Sequence, residues 1–488
     1  MSAQNFKRNS RKPLSPAAVK RKRKKRAANA NRKVAKLFDL VTKNAFDDLP
    51  DLRGRRGRRF SVASLLMSLV LGAALLLRSL RRVEESVGYL ALSGSAKGAV
   101  AASDTTLYRL LLKLPWMVAQ EVFERTVSNI RLAKKLRHTD LPLRTLAVDG
   151  KNLLTMYRRF SRFAQAVQPS EGRKYYKLMV IRAISTSSPE KLSVYQRAVP
   201  GKTNEMGIFP AALNDLMKRN TAKSLFELVT ADGAYCTLGI TRQIEKKGLY
   251  FILRLTDLQP SLMALAKNRI AVSPTACLAR SNWEACKRGY KRVSLYRTTD
   301  VQDWCNAEAE SWDHLTQAFL LHTEFAKKRL GPKGEVSYTV FDEANRHFVS
   351  NLPLDPFVSA SGKRVHMTPR ELLKTARAHW EIENFCFNNL DTAWSEDTSA
   401  PCRKGEGVLA YSYLALIGYN IAQLARYTIG YQLGPERKRC FKSWQHVRDR
   451  IRDGLSAPRP SPRPKRRPAP TNPKPTFCPL EEVGKALP

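Results

Sequence analysis

Paired cysteines are missing from this chain. Its 8 cysteines are scattered, with no Cys-x-x-Cys pair and no Cys/His spacing suited to zinc, which excludes a zinc-finger module. They fit the reduced thiols of a cytosolic protein. No signal peptide is visible at the N-terminus. Acidic residues are scarce: 42 Asp and Glu stand against 85 Lys and Arg, a formal net charge of +43 over 488 residues. Solubility needs far less, and such a field attracts polyanions, so nucleic acid is the default partner. A membrane surface fits less well, because the charge is spread through the chain and not confined to one amphipathic helix. The apolar run Phe60–Leu77 just reaches the length of a membrane span. Ser61, Ser64, Ser68 and Gly72 interrupt it, and Arg78, Arg81 and Arg82 follow with no second span. A buried helix is expected there, and no membrane partner.

The length allows two to four domains with ample core. Residues 1–33, with the run Lys20-Arg21-Lys22-Arg23-Lys24-Lys25-Arg26, read as a disordered basic arm making nonspecific phosphate contacts. Residues 34–140 read as a helical DNA-binding domain, with one helix capped at Ser103 or Asp104 and another from Val118 to about Leu136. From Leu143 the pattern changes. Leu146–Val148, Tyr176–Ile184 and Leu192–Ala198 read as strands, and a helix starts at Lys202-Thr203-Asn204-Glu205. A strand at Phe226–Thr230, a helix at Leu238–Lys247 and a strand at Tyr250–Leu255 follow. This is an α/β pattern: a mixed sheet with helices on its faces, its first part spanning 141–257. Residues 258–348 read as an inserted, mostly β subdomain with strands at Val336–Phe341 and His347–Ser350. Residues 349–430 complete the core with an apolar helix at Val408–Leu424, and 431–488 form a basic Pro-rich tail that from Ser456 on is low-complexity and unable to build a core.

The chemistry is expected in the helix that starts at Pro369. Thr368 suits its N-cap, Pro369 its first position and Glu371 the third. Leu372, Leu373, Ala376, Trp380, Glu383, Asn384 and Phe387 recur at three- and four-residue steps, so Glu383 is expected on the buried stripe and Glu381 elsewhere. A buried acid is costly unless it is paired, here with Arg377 or His379, or binds a cation. Asp149 and Asp232 each follow an apolar strand and precede a glycine. That is a turn pattern taken singly, yet strand ends of an α/β sheet also carry ligand and metal sites. Two aspartates and a glutamate together make an all-oxygen set suited to Mg²⁺ or Mn²⁺, and two such ions support in-line phosphoryl displacement. Cys236, four residues after Asp232, is expected to be a small buried hydrophobe rather than a ligand.

Ala147-Val148-Asp149-Gly150-Lys151, Lys202-x-Asn204-Glu205, Thr230-x-Asp232 and His379-Trp380-x-Ile382-Glu383-Asn384, followed by Leu390-Asp391 and Glu396-Asp397, resemble a DDE transposase. The last block is similar to bacterial insertion-sequence transposases whose third acid sits in an H-W-x-I-E-N helix. The resemblance spans roughly Asp51 to Arg426. It implies an RNase-H-like core in which Asp149, Asp232 and Glu383 hold two Mg²⁺ ions, with Mn²⁺ as substitute. The partners it implies are transposon ends and target double-stranded DNA, bound by a homodimer in the cytoplasm at the nucleoid. Lys151, Lys202, Asn204, Arg254, His379, Trp380 and Asn384 are its expected DNA contacts. The sequence departs from the group at Leu153-Leu154, at Gly233-Ala234-Tyr235-Cys236 and at Asn388-Asn389, which leaves the terminal-sequence specificity open. The residues alone leave two alternatives: an RNase-H-like nuclease without strand transfer, and a catalytically inactive DNA-binding protein.

Overall fold

A long helix opens the chain where a loose arm was expected. The computed structural model describes residues 15–51, 53, 58–92, 98–220, 224–272, 277–301, 303–305, 310–331, 334–397, 401–433 and 443–456. Helix α1 (Pro16–Thr42) carries the Lys20–Arg26 run on its first half, so the disordered arm is corrected over 16–33, while residues 1–14 lie outside the described residues. The cause is in the second half. Ala30, Val34, Leu37, Phe38 and Val41 recur at helical steps and are all buried, which anchors a helix that Lys and Arg readily extend. Four shorter helices follow: α2 (Val62–Ala74), α3 (Leu80–Leu92), α4 (Asp104–Lys113) and α5 (Trp116–Leu132). Ser61 and Ser103 cap α2 and α4 through their side-chain oxygens. The apolar run at α2 is buried in this bundle, as its interrupted composition required.

The sheet is built from β1 (Thr145–Met156), β2 (Gln165–Val167), β3 (Tyr175–Ser185) and β4 (Ser193–Ala198), then helix α6 (Glu205–Arg219), β5 (Leu228–Ala231), helix α7 (Leu238–Lys246) and β6 (Tyr250–Arg254). Strands β1, β5 and β6 run parallel, while β3 and β4 pair antiparallel on the other side of β1, giving the order β4-β3-β1-β5-β6. That arrangement is the RNase-H-like core. Helix α8 (Pro260–Val272) and strands β7 (Ala279–Arg280), β8 (Glu284–Cys286), β9 (Gly289–Thr298), β10 (Gln317–Leu330) and β11 (Val336–Ser350) form the insertion. The insertion is not a separate body. β11 pairs with β6 through Phe348↔Arg254, and β10 and β9 continue outward, so one sheet of 11 strands includes both. The two short strands expected within 336–350 are a single strand.

A small ladder, β12 (Phe357–Val358) with β13 (Arg364–Val365), precedes helix α9 (Pro369–Ala378). Side chains alternate between the two faces of a strand. Leu228, Ile252, Phe319, Leu321 and Phe348 lie under Leu372, Leu373 and Ala376 of α9, whereas Val229, Ala231, Phe251 and Leu253 join the core shared with α7. Beyond α9 come α10 (Asn388–Thr392), α11 (Gly407–Leu433) and α12 (Trp444–Ser456). Helix α11 is long and apolar enough to cross a membrane, yet it is almost wholly buried by α1, α2, α5 and α12. Helix α12 corrects the expected tail: Val447, Ile451 and Leu455 bury a stripe at helical spacing. Residues 434–442 and 457–488 of that tail lie outside the described residues.

Candidate active site

The parallel ladder between β1 and β5 ends at Val148↔Ala231, so Asp149 and Asp232 are the next residues on two neighbouring strands, about 5 Å apart along the sheet. Counting by twos from Leu228 and Thr230 puts Asp232, and with it Asp149, on the face that α9 covers. Asp149-Gly150 is not the turn that the pattern allowed, whereas Asp232-Gly233 opens one. β1 continues to Met156 and Asp149 pairs with Arg182 of β3. Asp232 caps a short 3₁₀ turn, Gly233–Tyr235, and Thr256 occupies the space that a Cβ on Gly233 would need.

The third acid arrives on a helix that changes pitch. Thr368 caps α9 with both halves of a capping box, as its sequence required. After Ala378 the α-helix does not run on: Ile382–Phe387 form a π-helical turn before α10 resumes. The wide turn shifts the phase, and the expected stripe breaks. Ile382, Cys386 and Phe387 are buried, while Glu383 and Asn384 are exposed, which corrects the buried position expected for Glu383. The bland partners are used elsewhere. Arg377 pairs with Glu284 at 2.7 Å. His379 is only 3% exposed, hydrogen-bonded to the backbone of Thr230, and burial pushes it down to about 4. Glu381 turns away from the acids to Lys191, at 2.7 Å.

Asp149, Asp232 and Glu383 share one electrostatic neighbourhood. Burial first, and then the charges of Glu383, Asp232 and Glu205, raise the Asp149 carboxyl to about 7, against one stabilising bond from the Gly150 amide. That amide donates to Asp149 Oδ1 at 2.7 Å. The only cation paired with the aspartates among the described residues is Arg254, with Nη1 3.4 Å from Asp232 Oδ1. Crowded carboxylates with so little opposing charge suit a hard divalent cation in donor type and in charge. Among the described residues no three Asp, Glu, His or Cys side chains already converge to hold an ion. The backbone brings the acids together, and rotation of their side chains would have to close them on a common point.

The expected DNA contacts divide. Lys202 is exposed before α6, and Asn384 is exposed beside Glu383. Trp380 is half-buried against Phe348, with the Arg346 guanidinium 5.0 Å from its ring. Asn204 is occupied as the cap of α6, accepting from the Gly207 amide at 2.9 Å, and Arg254 is occupied by Asp232. Two are corrected. Lys151 is 11% exposed, ion-paired with Asp391 and set over the Phe387 ring, so it ties β1 to the helix. His379 is sealed in the core and presents no charge to phosphate. The sequence reading missed a cleft of about 780 Å³ between β7–β11 and α9, lined by Arg280, Lys291, Arg346, Arg370, Lys374 and Arg377 and reaching Asn384. Its cations are scattered over a hundred residues of sequence, and only the spacing of strand and helix gathers them. Also missed was the strut behind the site: Arg182, fully buried, binds Glu396 at 2.7 and 2.5 Å and is held by Gln196 and Ser412.

A family model described as the Transposase DDE domain matches residues 140–421, more than half the chain. The chain belongs to the DDE transposase family. It is thus a DNA-cleaving and strand-joining enzyme of a family that uses divalent metal ions. No curated protein matches it. Among solved structures, a cryo-EM piggyBac transposase synaptic complex with hairpin DNA is similar at 10% identity and a TM-score of 0.37, covering 93% of this chain and 90% of that one.

Proposed function

We propose that Asp149, Asp232 and Glu383 hold two Mg²⁺ ions, replaceable by Mn²⁺, and that the chain cuts transposon ends and joins them to target DNA in a cut-and-paste reaction. The observation that carries this reading is the register: two aspartates on adjacent parallel strands, facing a glutamate on a π-turn. The bound ions would supply charge stabilisation to the attacking and leaving oxygens of an in-line displacement. The chain's own residues do the positioning. The strand ladder fixes Asp149 beside Asp232, the π-turn turns Glu383 outward, and the Arg182–Glu396 strut and the Lys151–Asp391 pair hold the helix on the sheet. The basic cleft beside Asn384 offers a path for the phosphate backbone, whose contacts give affinity rather than sequence choice. The working unit is a homodimer on DNA, in the cytoplasm at the nucleoid.

The test uses a candidate transposon end, uncut and pre-cleaved, with Mg²⁺. Asp149→Ala, Asp232→Ala and Glu383→Ala should each abolish cleavage and joining while leaving DNA binding largely intact, because Lys and Arg hold the phosphates. Cleavage that persists in any of the three removes that residue from the site. Cleavage without joining of the pre-cleaved end identifies a nuclease instead.

A further inference from the structure

A fourth carboxylate stands beside Asp149, and none of the three roles above uses it. Glu205 is the first residue of α6, held by the Asn204 cap. Its carboxyl group rests on the backbone of Gly150: a Cβ at that position would lie 3.2 Å from Glu205 Cδ and 3.3 Å from Oε1. Glycine after Asp149 therefore serves close approach, since β1 does not turn there, and what approaches is an acid. An acid at a helix N-terminus is ordinarily explained by the helix dipole. That explanation does not require the acid to lean on the residue next to the most perturbed aspartate of the site.

A second observation comes from Tyr235, three residues after Asp232. Its side chain is 1% exposed and packs edge-on against Phe209 of α6, with ring centroids 5.3 Å apart. Its hydroxyl is buried and has no hydrogen-bond partner among the described residues. The charges of Asp149, Glu205 and Asp232 all reach that hydroxyl and, together with burial, hold it protonated. A buried O–H that no group of the protein satisfies calls for an acceptor from water, an ion's hydration shell or a ligand. Among the described residues, the one cation paired with any of these three carboxylates is Arg254.

We propose that Glu205 is a fourth carboxylate of the metal site, approaching from the α6 side of the sheet, and that Tyr235 donates to an oxygen atom of the filled site. The proposal rests on Asp149 and Asp232 being metal ligands. A cation between Asp149 and Glu205 would give the crowded charge its counter-ion, and a water it carries would give the Tyr235 hydroxyl its acceptor. Four oxygen donors from β1, α6, β5 and the π-turn would reach the ions from both sides of the sheet edge.

The test uses the full chain with Mn²⁺ as the probe, reading bound metal by calorimetry and the unfolding midpoint in EDTA and in Mn²⁺. Wild type is compared with Glu205→Gln, Glu205→Asp and Asp149→Asn. Altering a residue that merely supports a ligand commonly weakens metal affinity 10- to 100-fold, so Glu205→Gln should weaken Mn²⁺ by about tenfold or more. In EDTA the same variant should unfold no earlier than wild type, because a like charge beside Asp149 has been removed. In Mn²⁺ its midpoint should rise less than that of wild type. Wild-type Mn²⁺ affinity in Glu205→Gln, with an EDTA midpoint that falls and is restored in Glu205→Asp, would show an acid that serves only the helix end, and the proposal would be wrong. Asp149→Asn separates the two levels. If it binds Mn²⁺ like wild type, the three-acid reading fails first and this one with it. If it loses Mn²⁺ while Glu205→Gln does not, only the fourth ligand fails.

Discussion

Asp149→Asn should make the metal-free protein more stable, and increasingly so as the pH rises. The Asp149 carboxyl ionises at about 7 in the fold against an ordinary 3.8, chiefly because it is buried and secondarily because Glu383, Asp232 and Glu205 repel its charge. A raised acid binds its proton more tightly in the native state than in the unfolded chain. Below pH 3.8 both states hold the proton and the group costs nothing. Between there and about 7 the unfolded chain releases it while the fold keeps it, so stability falls as pH rises. Above 7 the whole difference has been lost, roughly 4 kcal/mol at 1.36 kcal/mol per pH unit. Asparagine carries no charge yet keeps an oxygen that can accept the 2.7 Å bond from the Gly150 amide, so the native contact survives. Urea unfolding in EDTA should show the variant ahead of wild type at pH 8, with its lead over wild type larger than at pH 5 by ~2 kcal/mol or more. Saturating Mg²⁺ should reverse the order, because the ion stabilises only a site that keeps its carboxylate. A difference that ignores pH, or a variant less stable than wild type at pH 8 in EDTA, would refute the crowding of charge at this strand end.

Glu396→Gln leaves the fully buried Arg182 without its counter-charge, and breaking such a pair from one side costs about 3–5 kcal/mol; a loss below 1 kcal/mol in denaturant unfolding would mean the strut bears little load. Glu381→Gln removes a partner of Lys191, which is 6% exposed, so it should lower stability and spare Mg²⁺-dependent cleavage. Glu383→Gln should do the opposite, and an exchange of these outcomes would put the wrong acid in the site. Cys236 is wholly buried and its thiol is pushed up to about 12, so Cys236→Ser should leave the choice of metal unchanged; Zn²⁺-dependent cleavage that vanished in this variant would overturn the oxygen-only site. His379 sits at about 4 and is neutral at assay pH, so His379→Gln should not alter the salt slope of DNA binding; a slope reduced by about one would return it to the phosphate contacts.

Local order along the chain settled a good deal. The capping box at Thr368 and Glu371, the cap at Ser103, the helix start near Asn204 and the strands of the core follow from short-range patterns, because caps and alternation involve neighbours in sequence. The motif order around Asp149, Asp232 and Glu383 pointed to the family, and the excess of Lys and Arg to its polyanionic partner. Tertiary structure decided what depends on distant partners. Whether Lys20–Arg26 is arm or helix turns on the stripe that α1 buries against α11 and α12. Whether 258–348 is a separate body turns on the free edge of β6, which β11 takes. The face of Glu383 turns on a π-turn that no 3.6-residue period reveals. Lys151, His379 and Arg254 look alike as basic candidates in sequence, and Asp391, the core and Asp232 give each a different occupation. Charge type is a property of the residue, whereas pairing and burial belong to the fold, so the sequence could name the acids and the fold alone could say which cations remain free to meet DNA.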